Sequence, residues 1–96
     1  MVWLTSEPTG FINKIMREIK IGGKYKHYKG NLYEVIMVAR DSDNPKRELV
    51  VYRGLYDSPE FGKNPVWVRS KEDFLAKVTE DGKTFFKFEE VMRKTE

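Results

Sequence analysis

"GGKYKHYKGNLYEV", residues 22–35, gathers three tyrosines, the chain's single histidine and three lysines around a Gly-Asn pair. Its period is two. Lys24, Lys26 and Tyr28 alternate with Tyr25 and His27, as expected of a strand with one wet and one covered face. Gly30 and Asn31 tolerate the positive φ that tight hairpin turns demand. The stretch therefore predicts the first hairpin of a β domain, with its lysines on the solvent side.

The same reading extends outward. "LYEVIMVAR" (32–40) continues as a long strand, with Tyr33, Val35, Met37 and Ala39 facing opposite to Leu32, Glu34, Ile36 and Val38. "DSDNPKRE" (41–48), polar and proline-bearing, reads as a loop. "LVVYRGLY" (49–56) is a third strand, "DSPEFGKNP" (57–65) a second loop and "VWVR" (66–69) a fourth strand, judged by their β-branched and aromatic content. Ser70 followed by Asp73 resembles a capping box for one or two helical turns over "KEDFLAK" (71–77). "EDGK" (80–83) is a tight turn into "TFFKFEEV" (84–91), the last strand. The expectation is a mainly β chain: a small SH3-like barrel of about five strands over residues 20–92, with a short helix before the last hairpin.

Residues 1–19 follow another rule. After "TSEPTG", the apolar positions Phe11, Ile12, Ile15, Met16 and Ile19 recur with helical spacing, while Lys14, Arg17 and Glu18 take the other face. This predicts an N-terminal amphipathic helix as an extension, docked on the barrel or on a second copy through Phe11, Ile15 and Ile19. Met16, heading "MREIKIGGKYKHY", offers an alternative start for the compact domain.

Composition narrows the chemistry. Ninety-six residues with 40% hydrophobic and 34% charged side chains describe one globular domain rather than a disordered chain. The absence of cysteine excludes disulfides, thiolate catalysis and thiolate metal sites, and it fits a cytoplasmic setting. No stretch approaches the roughly 18 apolar residues of a membrane span. The net charge of +3 is uneven: residues 1–30 carry six Lys/Arg against two Glu, a local excess that attracts phosphates or acidic partners. One histidine without cysteine does not make an ordinary zinc site. "DSDNPK" (41–46) begins like a calcium loop but has Lys46 where a glycine must make the turn. "IGGK" (21–24) lacks the spacing of a phosphate loop, so no metal or cofactor is expected.

Two constellations remain. His27 is the one side chain titrating near neutrality, and with a carboxylate such as Glu34 it would serve a small hydrolase or isomerase. Against this, a lone histidine on a strand is ordinarily a half-buried packing residue. The stronger pattern is aromatic. Tyr52, Gly54 and Tyr56 share one strand face, and Trp67 and Arg69 share a face of the next, with Arg53 alongside. If the faces coincide, they make an aromatic floor with nothing above Gly54 and a guanidinium at its edge. Rimmed by Lys24, Lys26 and Lys29, such a floor suits a nucleic-acid base or a small planar or anionic ligand. The competing reading is a barrel interior filled by large aromatics.

"GGKYKHYKGNLYEV", "ELVVYRGLYDSPEFG" and "VWVRSKEDFLAKV", with the later "DGK" and a phenylalanine, resemble in order and spacing a family of short bacterial proteins, domain of unknown function 1653. The resemblance covers roughly residues 20–90. One departure is visible: the family's "WVRP" reads "WVRS" here, with Ser70 able to cap the following helix. The family carries no established activity, so the resemblance hands over no catalytic or cofactor residues. It implies a compact domain with motif positions at Gly23, Tyr25, His27, Tyr28, Gly30, Tyr33, Tyr52, Arg53, Tyr56, Trp67 and Arg69. The sequence thus favours a non-enzymatic binding module, ahead of a protein-interaction or self-association module.

Overall fold

The computed structural model describes residues 18–91. Strands β1 (Lys24–His27) and β2 (Leu32–Asp41) form the first hairpin, with Tyr25 opposite Tyr33 and Lys24 opposite Glu34. Its turn closes through Gly30 N–H to the His27 carbonyl at 2.7 Å. Gly30 alone takes the positive φ there, at 118°, and Asn31 does not. Tyr25 is buried while Lys24 and Lys26 are exposed.

Strand β3 (Asn44–Gly54) returns along β2 after a two-residue turn in which Asp43 N–H donates to Asp41 Oδ1 at 2.9 Å. The loop expected over 41–48 is therefore mostly strand. Proline is accommodated because the register slips between Arg40 and Asp41, bulging Pro45–Arg47 out of the ladder where no N–H is needed. A second slip at Ile36 reverses the pleat of β2. Met37, expected on the Tyr33 face, is consequently 49% exposed, and Val38 instead pairs with buried Val50. One extra residue switches every later side chain to the other face.

After β3 come a small ribbon, β4 (Asp57–Ser58) with β5 (Gly62–Lys63), and then β6 (Val66–Ser70). Ser70 accepts from Asp73 N–H at 3.0 Å and caps a single turn of helix, α1 (Lys71–Phe74). Strands β7 (Lys77–Glu80) and β8 (Lys83–Phe86) make a separate hairpin. Its turn residues Asp81 and Gly82 have φ of 52° and 78°, the left-handed pair of a type I′ turn. The expected last strand is in fact two. It breaks at Lys87, and β9 (Phe88–Glu90) leaves β8 to pair with β1.

The main sheet has five antiparallel strands in the order β6-β3-β2-β1-β9. It is open: no ladder joins β6 to β9 among the described residues, so the expected closed SH3-like barrel is not formed. Two bulges in its longest hairpin bend the sheet. The Arg69 guanidinium on β6 lies 5.0 Å from the Phe88 ring on β9, so the two edge strands face each other across the concave side. That side holds the core of Tyr25, Val35, Val50, Tyr52, Phe74 and Phe88. Phe74, carried by α1, stacks on Phe88 at 4.2 Å, and Tyr52 meets both rings edge-on.

The N-terminal helix expected over residues 1–19, with Phe11 and Ile15, lies outside the described residues apart from its last two positions. Of these, Ile19 packs against the core. No helix among the described residues is long and apolar enough to cross a membrane.

Candidate functional site

Alternation along β6 turns Trp67 and Arg69 to the concave side and leaves Val66 and Val68 exposed outside. Arg69 sits at the unpaired gap between β6 and β9. Its Nε donates to the Tyr52 hydroxyl at 2.8 Å and its Nη1 to Asp73 Oδ2. Asp73 accepts a second bond on Oδ1, from Lys87 Nζ at 2.6 Å. The carboxylate of α1 thus ties β6 to the break between β8 and β9. A polar bridge stands where a closed barrel would have backbone hydrogen bonds.

The electrostatics follow from this packing. Burial works against the charge of Arg69, but the bonds to Tyr52 and Asp73 outweigh it and raise its pKa. The Lys87 hydrogen bond, followed by the effect of Arg69, holds the Asp73 carboxyl below its ordinary value. With two cations on one carboxylate, the bridge keeps one net positive charge. A guanidinium offers five N–H donors. Two are used, and the other three have no acceptor among the described residues, although the side chain is 30% exposed.

His27 borders the same gap, with its ring edge-on to Phe88 at 4.8 Å and stacked on Tyr28 at 4.6 Å. Its Nδ1 accepts from Lys29 N–H at 3.1 Å, closing the β1–β2 turn and placing the proton of the neutral ring on Nε2. Burial lowers its pKa, and the charges of Arg69, Lys29 and Lys87 lower it further. Glu34, its suggested carboxylate partner, is on the convex face bonded to Arg53 at 3.2 Å. His27 thus takes part in packing and turn closure, and Glu34 is not bonded to it.

A second cluster adjoins the first. Tyr56 folds back over Gly54, where an added Cβ would come within 2.4 Å of its ring. The space the sequence left open above Gly54 is thus filled. The Tyr56 hydroxyl accepts from Trp67 Nε1 at 3.1 Å and meets the Tyr33 hydroxyl at 3.4 Å. Burial, then the Tyr56 contact, pushes the Tyr33 pKa up to about 12. Phe61, 60% exposed on the β4–β5 ribbon, stands edge-on to Trp67 at 5.3 Å.

The expected site is thereby redistributed. Tyr52 is 3% exposed, a core residue supporting Arg69 rather than a stacking floor. Trp67, Tyr56 and Arg69 do share the concave side. Arg53, Lys24 and Lys26 do not, because their strand parity places them on the convex face, and Lys29 lies in the turn with its Nζ 5.8 Å from the Tyr28 ring. Asp73 and Lys87 were missed, since they come from a helical turn and a strand break whose meeting no local pattern announces. An open cleft of about 540 Å³ lies elsewhere, lined by Lys46, Arg47, Glu48, Lys71, Glu72 and Leu75. Its Lys71 and Arg47 are paired with Glu48 and Asp41, and its Lys46 and Glu72 carry opposite charges. Among the described residues no cluster of His, Cys, Asp and Glu could hold a metal ion.

A bent antiparallel sheet with a polar bridge across its gap defines the class of domain. The chain belongs to the family described as Protein of unknown function (DUF1653), which it matches over residues 23–90. A crystal structure of a DUF1653 protein from Bordetella bronchiseptica is similar, with a TM-score of 0.67 and 26% identity over 84% of this chain and 97% of that one. No curated protein matches the chain.

Proposed function

We propose that this domain is a non-enzymatic binding module that takes a small anionic group, a carboxylate or phosphate, at the gap between β6 and β9. The observation that carries the reading is the Arg69 guanidinium. It is fixed by Tyr52 and Asp73, backed by the Phe88 ring, and retains three N–H donors unspent among the described residues. A guanidinium held in this way forks onto a planar or tetrahedral anion at little entropic cost. Lys87 adds a second cation and the neutral His27 ring an Nε2 donor on the same rim. Trp67, two residues along β6 with Phe61 at its edge, supports a planar extension of the ligand. An extended nucleic acid is the weaker occupant, because Lys24, Lys26 and Arg53 lie on the opposite face.

The test is a nitrogen-15 NMR titration of the full chain with inorganic phosphate, with acetate and with a short single-stranded oligonucleotide, at low and high salt. A saturable shift of the Arg69 side-chain Nε with phosphate or acetate is expected. Absence of any shift at Arg69 with all three would overturn the reading, and a shift only with the oligonucleotide would transfer it to nucleic acid.

A further inference from the structure

Gly54 N–H donates to the Pro65 carbonyl at 2.7 Å, which fixes the phase of the ladder between β3 and β6. Counting on from that pair, the backbone groups of Trp67 and Arg69 point toward β3, and those of Val66 and Val68 point away from it. β6 is a terminal strand of the sheet, so among the described residues the outward groups line an open edge. The opposite edge strand, β9, is three residues long and carries Glu89 and Glu90, the kind of charge that blocks strand addition. β6 has no acidic guard, and its one charge, Arg69, is tied internally to Tyr52 and Asp73. Between Val66 and Ser70 it holds no proline, bulge or acidic residue, and Val66 and Val68 are 59% and 57% exposed on its convex side. Val68 also ends a cross-strand row with Val51 and Met37 that runs over three strands.

We propose that β6 is an association edge that pairs antiparallel with β6 of a second copy about a two-fold axis through Val68. The strand is self-complementary in this register. Val68 meets its own equivalent, so the Met37–Val51–Val68 row continues across the axis as one apolar strip. On the concave side Trp67 falls opposite the second copy's Arg69, so no arginine meets an arginine, and each Arg69 guanidinium keeps its bonds to Tyr52 and Asp73 within its own copy. A two-fold axis gives each copy the same contacts and closes the assembly at two. The pairing does not require an anion at the gap, although β6 also carries Arg69 there.

Sedimentation equilibrium of the full chain across a wide concentration range tests this. A reversible monomer–dimer equilibrium is expected, with Val68→Lys or Val66→Lys weakening the dimer by about tenfold or more and leaving the circular dichroism unchanged. The Val68 amide, without an acceptor among the described residues, should exchange slowly with deuterium at dimeric concentrations. A chain monomeric throughout would overturn the proposal, as would a dimer insensitive to both substitutions or one in which the Val68 amide exchanges freely. A dimer lost instead on Ile15→Lys would assign association to the N-terminal stripe and equally overturn it.

Discussion

At Arg69 three interactions converge that no stretch of sequence brings together: a core tyrosine hydroxyl, a helix-borne carboxylate and an aromatic face from the far edge of the sheet. Arg69 itself was legible in the sequence, because strand alternation put it beside Trp67. Its partners were not, since pairing depends on how far the sheet bends. Asp73 carries an acid-range prediction. Its folded pKa is lowered, so its contribution to stability is present above the ordinary carboxyl value of 3.8 and is lost as pH falls through the folded value. Asp73→Asn should remove that part of the acid dependence in chemical denaturation, at the cost of a lower stability near neutrality. His27 predicts a second slope at higher pH. Its folded pKa lies below 6.5, so stability falls as pH drops below that value, because the unfolded chain takes up the proton first. His27→Gln should flatten denaturation midpoints between about pH 5 and 7; an unchanged slope would show that the imidazole titrates normally in the fold.

Among the elements, α1 is a single turn that isolated helix physics would not sustain. It persists because Ser70 caps it and Phe74, fully buried, stacks on Phe88. Phe74→Ala should cost about 3–5 kcal/mol in urea denaturation, the range for a large core aromatic. Gly54→Ala should cost about 1–3 kcal/mol by overpacking, because the added methyl meets a Tyr56 ring held by Trp67 and Tyr33. If it is neutral, Tyr56 swings away freely and the second cluster is looser than described. Hairpin identity was readable at this scale wherever turn chemistry is local, as at Gly30 and at Asp81–Gly82. Bulges were not. Nothing in "VIMVAR" marks Ile36 as the extra residue, and the proline of "DSDNPKRE" pointed to a loop because its bulge could not be foreseen. The last strand was read as one piece because "TFFKFEEV" alternates through Lys87, and only the competition between β7 and β1 for partners divides it.

For the whole molecule, the open edge decides both structure and proposed use. A closed barrel would spend its edge groups on each other. This sheet instead leaves β6 and β9 unpaired with each other among the described residues and spans the gap with Arg69, Asp73 and Lys87. The mainly β class was legible from periodicity, whereas closure was not, because it depends on the sum of bends along four ladders. We propose that the bridge is also a receptor for anions. A ligand that binds only the folded state raises stability in proportion to the logarithm of its concentration. Thermal denaturation in increasing sodium phosphate, with sodium chloride matched for ionic strength, reads this directly. The midpoint should rise with phosphate in the native chain and stay flat in Arg69→Gln. A midpoint that rises equally in both, or in neither, would contradict the account.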